Sequence, residues 1–329
     1  LKSNYGDRFY IEIQRHGDQN EKEFEKFNLI SSKKLDIPII ATNEVFYINK
    51  DMYEAHDALI CIKNKTYVSE KNRVRFSNQH YLKTNSEMID LFNADNDPNI
   101  SCYRIPSIIT AVNGDLIATI DERVPSCGDL KWSRDINIVM RKSFDNGKTW
   151  TDIETVVDYP LGQSASDPSM ILDKKTKTIF MFYNYMDLDN EKDIYYLRYK
   201  KSVDNGKSWS ESIDITDQIS KIGWEKDFKF ITSGRGIQTQ DGTLLHCLVN
   251  LQKGTHVFGS NDNGNTWFIT ETPTSPGDES KIIELNDGRW MVNSRVNDLG
   301  YRYSHITADN GKSWISKKEE SIIDPGCNG

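Results

Sequence analysis

Ser143-Phe-Asp145-Asn-Gly147-Lys-Thr149-Trp150 recurs as Ser202-Val-Asp204-Asn-Gly206-Lys-Ser208-Trp209, as Ser260-Asn-Asp262-Asn-Gly264-Asn-Thr266-Trp267, and as Thr307-Ala-Asp309-Asn-Gly311-Lys-Ser313-Trp314. The copies start 59, 58 and 47 residues apart. The octet has the chemistry of a tight hairpin turn. Asn-Gly accepts the positive φ such turns require, while the Asp and Ser/Thr side chains bond nearby backbone N–H groups. The Trp then packs at a fixed place on the following strand. Between the boxes lie period-2 strands, such as Asp135-Ile-Asn-Ile-Val-Met and Ile194-Tyr-Tyr-Leu-Arg-Tyr, and the turn signals Asn113-Gly-Asp, Asp241-Gly and Asn286-Asp-Gly. A repeat of about 50–60 residues with several short strands and one hairpin signature is the size of a propeller blade. The expected fold is an all-β β-propeller, and the box Asp residues are read as staples of the turn rather than as catalysts.

Residues 1–88 lack the box. Strand-like runs (Phe9-Tyr-Ile-Glu-Ile, Val45-Phe-Tyr-Ile, Ala58-Leu-Ile-Cys-Ile, Val74-Arg-Phe) and one short helical segment, Glu21–Leu29, predict a separate, mostly-β accessory module. It joins the propeller, residues 89–329, near Asn85–Asp90, and carbohydrate binding or packing is its expected role.

Composition bounds the function. The chain has 329 residues, 41 Lys+Arg against 49 Asp+Glu, and a net charge of −8. That balance argues against a general nucleic-acid binder, which needs a basic surface. No apolar run approaches the ~18 residues of a membrane-spanning helix. The cysteines (Cys61, Cys102, Cys127, Cys247, Cys327) include no CxxC pair, so no metal site is expected; one or two disulfides are compatible with the count. An anionic substrate would require a local Arg cluster inside this acidic protein.

Such a cluster is written along the chain. Cys102-Tyr103-Arg104-Ile105-Pro106 resembles the Y/F-R-I-P motif of the sialidases (exo-α-sialidases, neuraminidases), whose Arg binds the sugar carboxylate, and the boxes resemble the family's Asp boxes. Further segments come in the family's order. Asp121-Glu122-Arg123 resembles its D-x-R segment, and Asp129 falls where the family places an acid/base Asp on a loop. Ser166-Asp167-Pro168-Ser169 resembles the segment whose Asp lines the pocket. Glu279 matches the Glu that partners the nucleophile, and Asn293-Ser294-Arg295 matches the segment carrying the second carboxylate-binding Arg. The resemblance covers about residues 90–329 and implies a six-bladed propeller with Asp129 and Glu279 catalytic and Arg104, Arg123, Asp167 and Arg295 binding substrate. No cofactor is implied.

The chemistry explains these residue types. Sialic acid bears a carboxylate on its anomeric carbon, and planar guanidinium groups bind carboxylate bidentately without deprotonating. A carboxylate nucleophile would be repelled there, so the family uses a Tyr activated by Glu, an exception to the two-carboxylate scheme. The expected partners are sialylated glycoproteins, glycolipids or oligosaccharides, met outside the cell: secreted, periplasmic or at the surface. Residues 90–329 suffice for little more than four blades at ~55 residues each. Asp324-Pro-Gly-Cys-Asn-Gly329 resembles a segment inside the sialidase domain, and neither Arg235 nor Arg302 matches the family's third Arg. The chain is therefore expected to be C-terminally truncated and inactive by itself, with the nucleophilic Tyr and third Arg beyond it, in a C-terminal part that completes the propeller. The alternatives are an inactive sialic-acid-binding propeller and a trans-sialidase; another Asp-box glycosidase or a protein-binding propeller lacks the Arg set.

Overall fold

A computed structural model describes residues 10–14, 21–35, 37–41, 45–48, 50–70, 73–76, 80, 91–94, 97–147, 149–297 and 300–323. The backbone divides into two units, Leu1–Phe92 and Asn93–Gly329.

The first unit departs from the expected mostly-β module. Its described residues form two helices, α1 (Glu21–Leu35) and α2 (Tyr53–Asn64), and two three-residue strands, β1 (Ile11–Ile13) and β2 (Ile39–Ala41), paired in parallel. The run Ala58-Leu-Ile-Cys-Ile, read as a strand, lies inside α2. A short apolar run has no periodicity of its own, and here the helical spacing of the buried Asp57 and Cys61 prevails. Asp57 is held there by a bidentate ion pair with Arg73, 2.6 Å on both oxygens, which keeps its carboxyl below the usual range. The helix ends at Lys65, whose left-handed backbone lets its N–H turn back to the last carbonyls. Val45–Ile48 and Val74–Phe76 form no strand, Tyr47 making a single bridge. Phe9, the junction 85–90 and the segment 324–329 lie outside the described residues.

The second unit is built from four antiparallel meanders. They are β3 (Cys102–Thr110), β4 (Leu116–Arg123), β5 (Asp135–Ser143) and β6 (Glu154–Val157); then β7 (Gln163–Asp173), β8 (Thr178–Asp187), β9 (Tyr196–Ser202) and β10 (Ile213–Asp214). In the third, β11 (Lys229–Ile231), β12 (Gly234–Arg235) and β13 (Ile237–Gln238) precede β14 (Leu244–Asn250), β15 (Gly254–Ser260) and β16 (Phe268–Ile269). Both β11 and β13 pair with β14, whereas β12 pairs in parallel with β7 of the second blade. The fourth is β17 (Ser280–Glu284), β18 (Trp290–Ser294), β19 (Tyr301–Thr307) and β20 (Ile315–Ile323).

Each box sits at the turn between the third and fourth strand of its blade. In the third copy Ser260 Oγ donates to Asp262 Oδ1 (2.8 Å), Gly264 N to Ser260 Oγ (2.8 Å), and Thr266 N and Oγ1 to the two Asp262 oxygens (2.9 and 2.7 Å). The other copies repeat these four bonds. Asn146, Asn205, Asn263 and Asn310 all have φ between 57 and 61°. The box Trp side chains are half-buried except Trp267, which is buried.

Burial runs through the central strands on both faces. Along β8, Phe180 and Phe182 point into a core shared with Leu244, Leu248, Phe258 and Trp267 of the third blade. Ile179, Met181 and Tyr183 point the other way, toward Ile117, Ile138 and Met140 of the first. Successive side chains alternate across a strand, so a strand between two neighbours is apolar at every position. The third and fourth blades meet in the same way through Leu245, Cys247 and Val257 against Ile282, Trp290 and Val292. The result is an all-β propeller arrangement of blades whose ring is not closed by the described strands.

Candidate active site

Two matching irregularities aim the site. In β3 the register shifts between Arg104 and Ser107, and in β7 between Ser166 and Ser169. In each case the residue before a proline, Ile105 or Asp167, adopts φ 61°. Left-handed backbone at a non-glycine residue is costly, and with a bulge it re-aims the neighbouring side chain out of the ladder.

Arg104 NH1 donates to Asp129 Oδ1 at 3.0 Å, and Arg123 NH1 reaches the same oxygen at 2.7 Å. Two guanidinium groups, one half-exposed and one fully buried, thus converge on one carboxylate. Arg123 is held by Asp121, whose Oδ2 accepts from Arg123 NH2 (2.8 Å) and Ser166 Oγ (2.7 Å) and whose Oδ1 accepts from the Asp167 N–H (2.9 Å). Burial pushes the Asp121 carboxyl up to about 6, against the pull of Arg123 and these hydrogen bonds. Asp167 is pushed further, to about 8, by burial and then by the neighbouring Asp121. It accepts from Asn184 Nδ2 at 3.0 Å, and Asn184 also bonds both backbone polar groups of Ile231. One amide therefore ties the second blade to the inner strand of the third.

Glu279 and Arg295 form an ion pair across the ends of β17 and β18, where the Arg295 N–H also donates to the Glu279 carbonyl (2.9 Å). Asp278 pairs with the same guanidinium at 3.3 Å and accepts from Asn297. Burial raises the Glu279 carboxyl above its ordinary range, Arg295 opposes this, and the charge of Asp129 adds to it. The charge of Glu279 in turn raises Asp167. The six residues singled out in the sequence thus fall in two groups within electrostatic reach: Arg104, Arg123, Asp129 and Asp167 through direct bonds and Asp121, and Glu279 with Arg295.

Three supporting residues are not singled out by sequence. Asp121 stands there only as the first letter of its motif. Asn184 is a polar residue in the apolar run of β8. Lys281 is a half-buried cation of β17 that donates to the Ser233 carbonyl; desolvation lowers its pKa, while Glu279 and Asp167 pull it back up. Cys102 and Cys127 form a disulfide that fastens the loop carrying Asp129 to the strand carrying Arg104. Arg302 lies in β19 and bonds Asn293 Oδ1, a strand residue of the fourth blade. Among the described residues no cluster of His, Cys, Asp and Glu is arranged to hold a metal ion.

The BNR repeat-like domain family matches residues 105–320. This chain belongs to that family. Its relatives include a sialidase of Bacteroides fragilis, 29% identical over 245 residues, which cover 66% of this chain and 44% of that protein. The solved Hadza microbial sialidase Hz136 superposes with a TM-score of 0.63 at 28% identity, over 70% of this chain and 50% of its own. The fold is accordingly that of the sialidase β-propellers. The chain spans about half or less of the length of these relatives. A separate similarity, 39% identity over 88 residues, is to the DNA polymerase III α subunit of Caulobacter vibrioides, covering 27% of this chain and 8% of that protein. Among the described residues no helix is long and apolar enough to cross a membrane.

Proposed function

We propose that the BNR unit is the substrate-binding and acid/base half of an exo-α-sialidase site, releasing terminal sialic acids from glycoconjugates with retention. The observation that carries this reading is the convergence of Arg104 and Arg123 on one carboxylate oxygen of Asp129. A substrate carboxylate competes for the half-exposed Arg104. As it takes Arg104, Asp129 loses one of its two cations, takes up a proton from water, gives it to the leaving glycosidic oxygen and later takes a proton back from the attacking water. Asp167, whose carboxyl is pushed up by desolvation and by Asp121, can hydrogen-bond a sugar hydroxyl. Arg295 adds a second guanidinium, and Glu279 beside it acts as base toward a Tyr nucleophile.

That Tyr and a third Arg are proposed to come from sequence outside residues 1–329, in keeping with the share of the relatives' length that the chain spans. The intact protein should then release 4-methylumbelliferone from its sialoside, whereas residues 1–329 alone should not. In the intact protein Arg104→Ala should weaken a sialic acid analogue by about 2 kcal/mol, the loss of one charge-assisted bond. Unchanged affinity would remove the support for the reading. Transfer to an acceptor sugar is the second reading, favoured if product analysis finds sialylated acceptor rather than free sialic acid. Secretion or surface display follows from this substrate class.

A further inference from the structure

Of the seven Trp residues, six are buried or half-buried; Trp132 is 61% exposed. It ends a single 3₁₀ turn, Leu130–Trp132, whose N-cap is Asp129, and its N–H closes that turn on the Asp129 carbonyl at 2.6 Å. Trp132 therefore follows Asp129 by one turn on the same loop. It is not loose. Its ring meets Phe228 edge-on (centroids 6.3 Å, 68°), and Phe228 is stacked on the buried Tyr195 (4.8 Å). The Lys131 ammonium lies 4.9 Å from the Trp132 ring and 5.0 Å from Phe228. Residues from the first, second and third blades thus build an aromatic shelf, Trp132 its exposed member, with one cation over the Trp132 and Phe228 rings.

We propose that this shelf is the leaving-group subsite: the apolar face of the hexopyranose attached to the sialic acid stacks on Trp132, and Lys131 bonds one of its hydroxyls. This rests on the sialidase reading, because an acid that protonates the glycosidic oxygen must have the leaving sugar immediately beyond it. An exposed indole there offers the C–H face of a pyranose a large, rigid surface. The carboxylate grip and the leaving-group shelf are then separate, and a substitution on the shelf should distinguish substrates by the size of the group beyond the glycosidic oxygen.

The test uses the intact protein, wild type and Trp132→Ala, with sialyllactose and with methyl α-sialoside, whose leaving group is too small to stack. The substitution should lower kcat/KM for sialyllactose about tenfold, the equivalent of one aromatic stacking contact. Hydrolysis of the methyl sialoside and affinity for an unsaturated sialic acid analogue should be unchanged, and Trp132→Phe should restore most of the loss. Equal losses on both substrates would make Trp132 a support of the Asp129 loop and overturn the subsite, as would no loss on either. Wild-type protein that cleaves neither sialoside would instead overturn the sialidase reading, and the subsite with it.

Discussion

Gly264 has φ 84°, and a Cβ built on it would lie 2.2 Å from Cζ of Phe180 on the neighbouring blade. The glycine in the box thus serves both the turn and the contact between blades. Gly206 repeats this against Ile117. Gly264→Ala should cost about 3 kcal/mol, adding left-handed strain to the overpacking of a buried ring. Gly114→Ala, at φ 92° with nothing within 4 Å, should cost only the strain. Urea unfolding of the two variants measures the difference; equal losses would show that packing at the box is slack. Much of this scale is legible in the sequence. Asn-Gly in a box announces a positive-φ turn wherever it stands, because that requirement is local. What the glycine touches is not legible, since Phe180 is 84 residues away.

At the scale of elements, β8 shows why the blades read as continuous apolar runs. Phe182 and Met181 are both fully buried but lie in different inter-blade cores. Phe182→Ala and Met181→Ala should each destabilise by about 3–4 kcal/mol, as removals from close-packed cores do. Ile323→Ala on β20, where the side chain is 78% exposed, should change stability by less than about 0.5 kcal/mol. Chemical denaturation of the three variants checks this; a small effect at Met181 would mean that the first and second blades pack loosely. The helix α2 marks the opposite case. Ala58–Ile62 carries β-compatible residues, and only its partners, among them the Arg73 that holds Asp57, make the helical face the buried one.

For the second unit as a whole, burial and hydrogen bonding pull stability in opposite directions along the pH scale. Asp204 in a box is lowered to about 2 by the Ser208 hydroxyl and N–H, so its contribution is present above the unfolded value near 4 and lost as pH falls through 2. Asp167 is raised to about 8 by burial, so the folded state keeps a proton that the unfolded chain releases near pH 4. Its stabilisation is present below that pH and declines as pH rises to 8. Asp167→Asn does not titrate. The stability of wild type relative to this variant should therefore fall steadily from pH 5 to pH 8, read as urea midpoints across the range. A difference independent of pH would place the Asp167 carboxyl in its ordinary range.

The sequence by itself determined the repeat and the turn chemistry at each box, because each is a property of a few adjacent side chains. It placed Arg104, Arg123, Asp129, Asp167, Glu279 and Arg295 in one chemical scheme without showing how they meet. Tertiary structure alone decided that two guanidinium groups share one oxygen of Asp129, and that a buried Asp121 orients one of them. It also decided that Asn184 ties Asp167 to the next blade. These depend on the separation of strands dozens of residues apart and on how much water each group loses. Desolvation belongs to the packed neighbours of a carboxylate, not to its place in the chain.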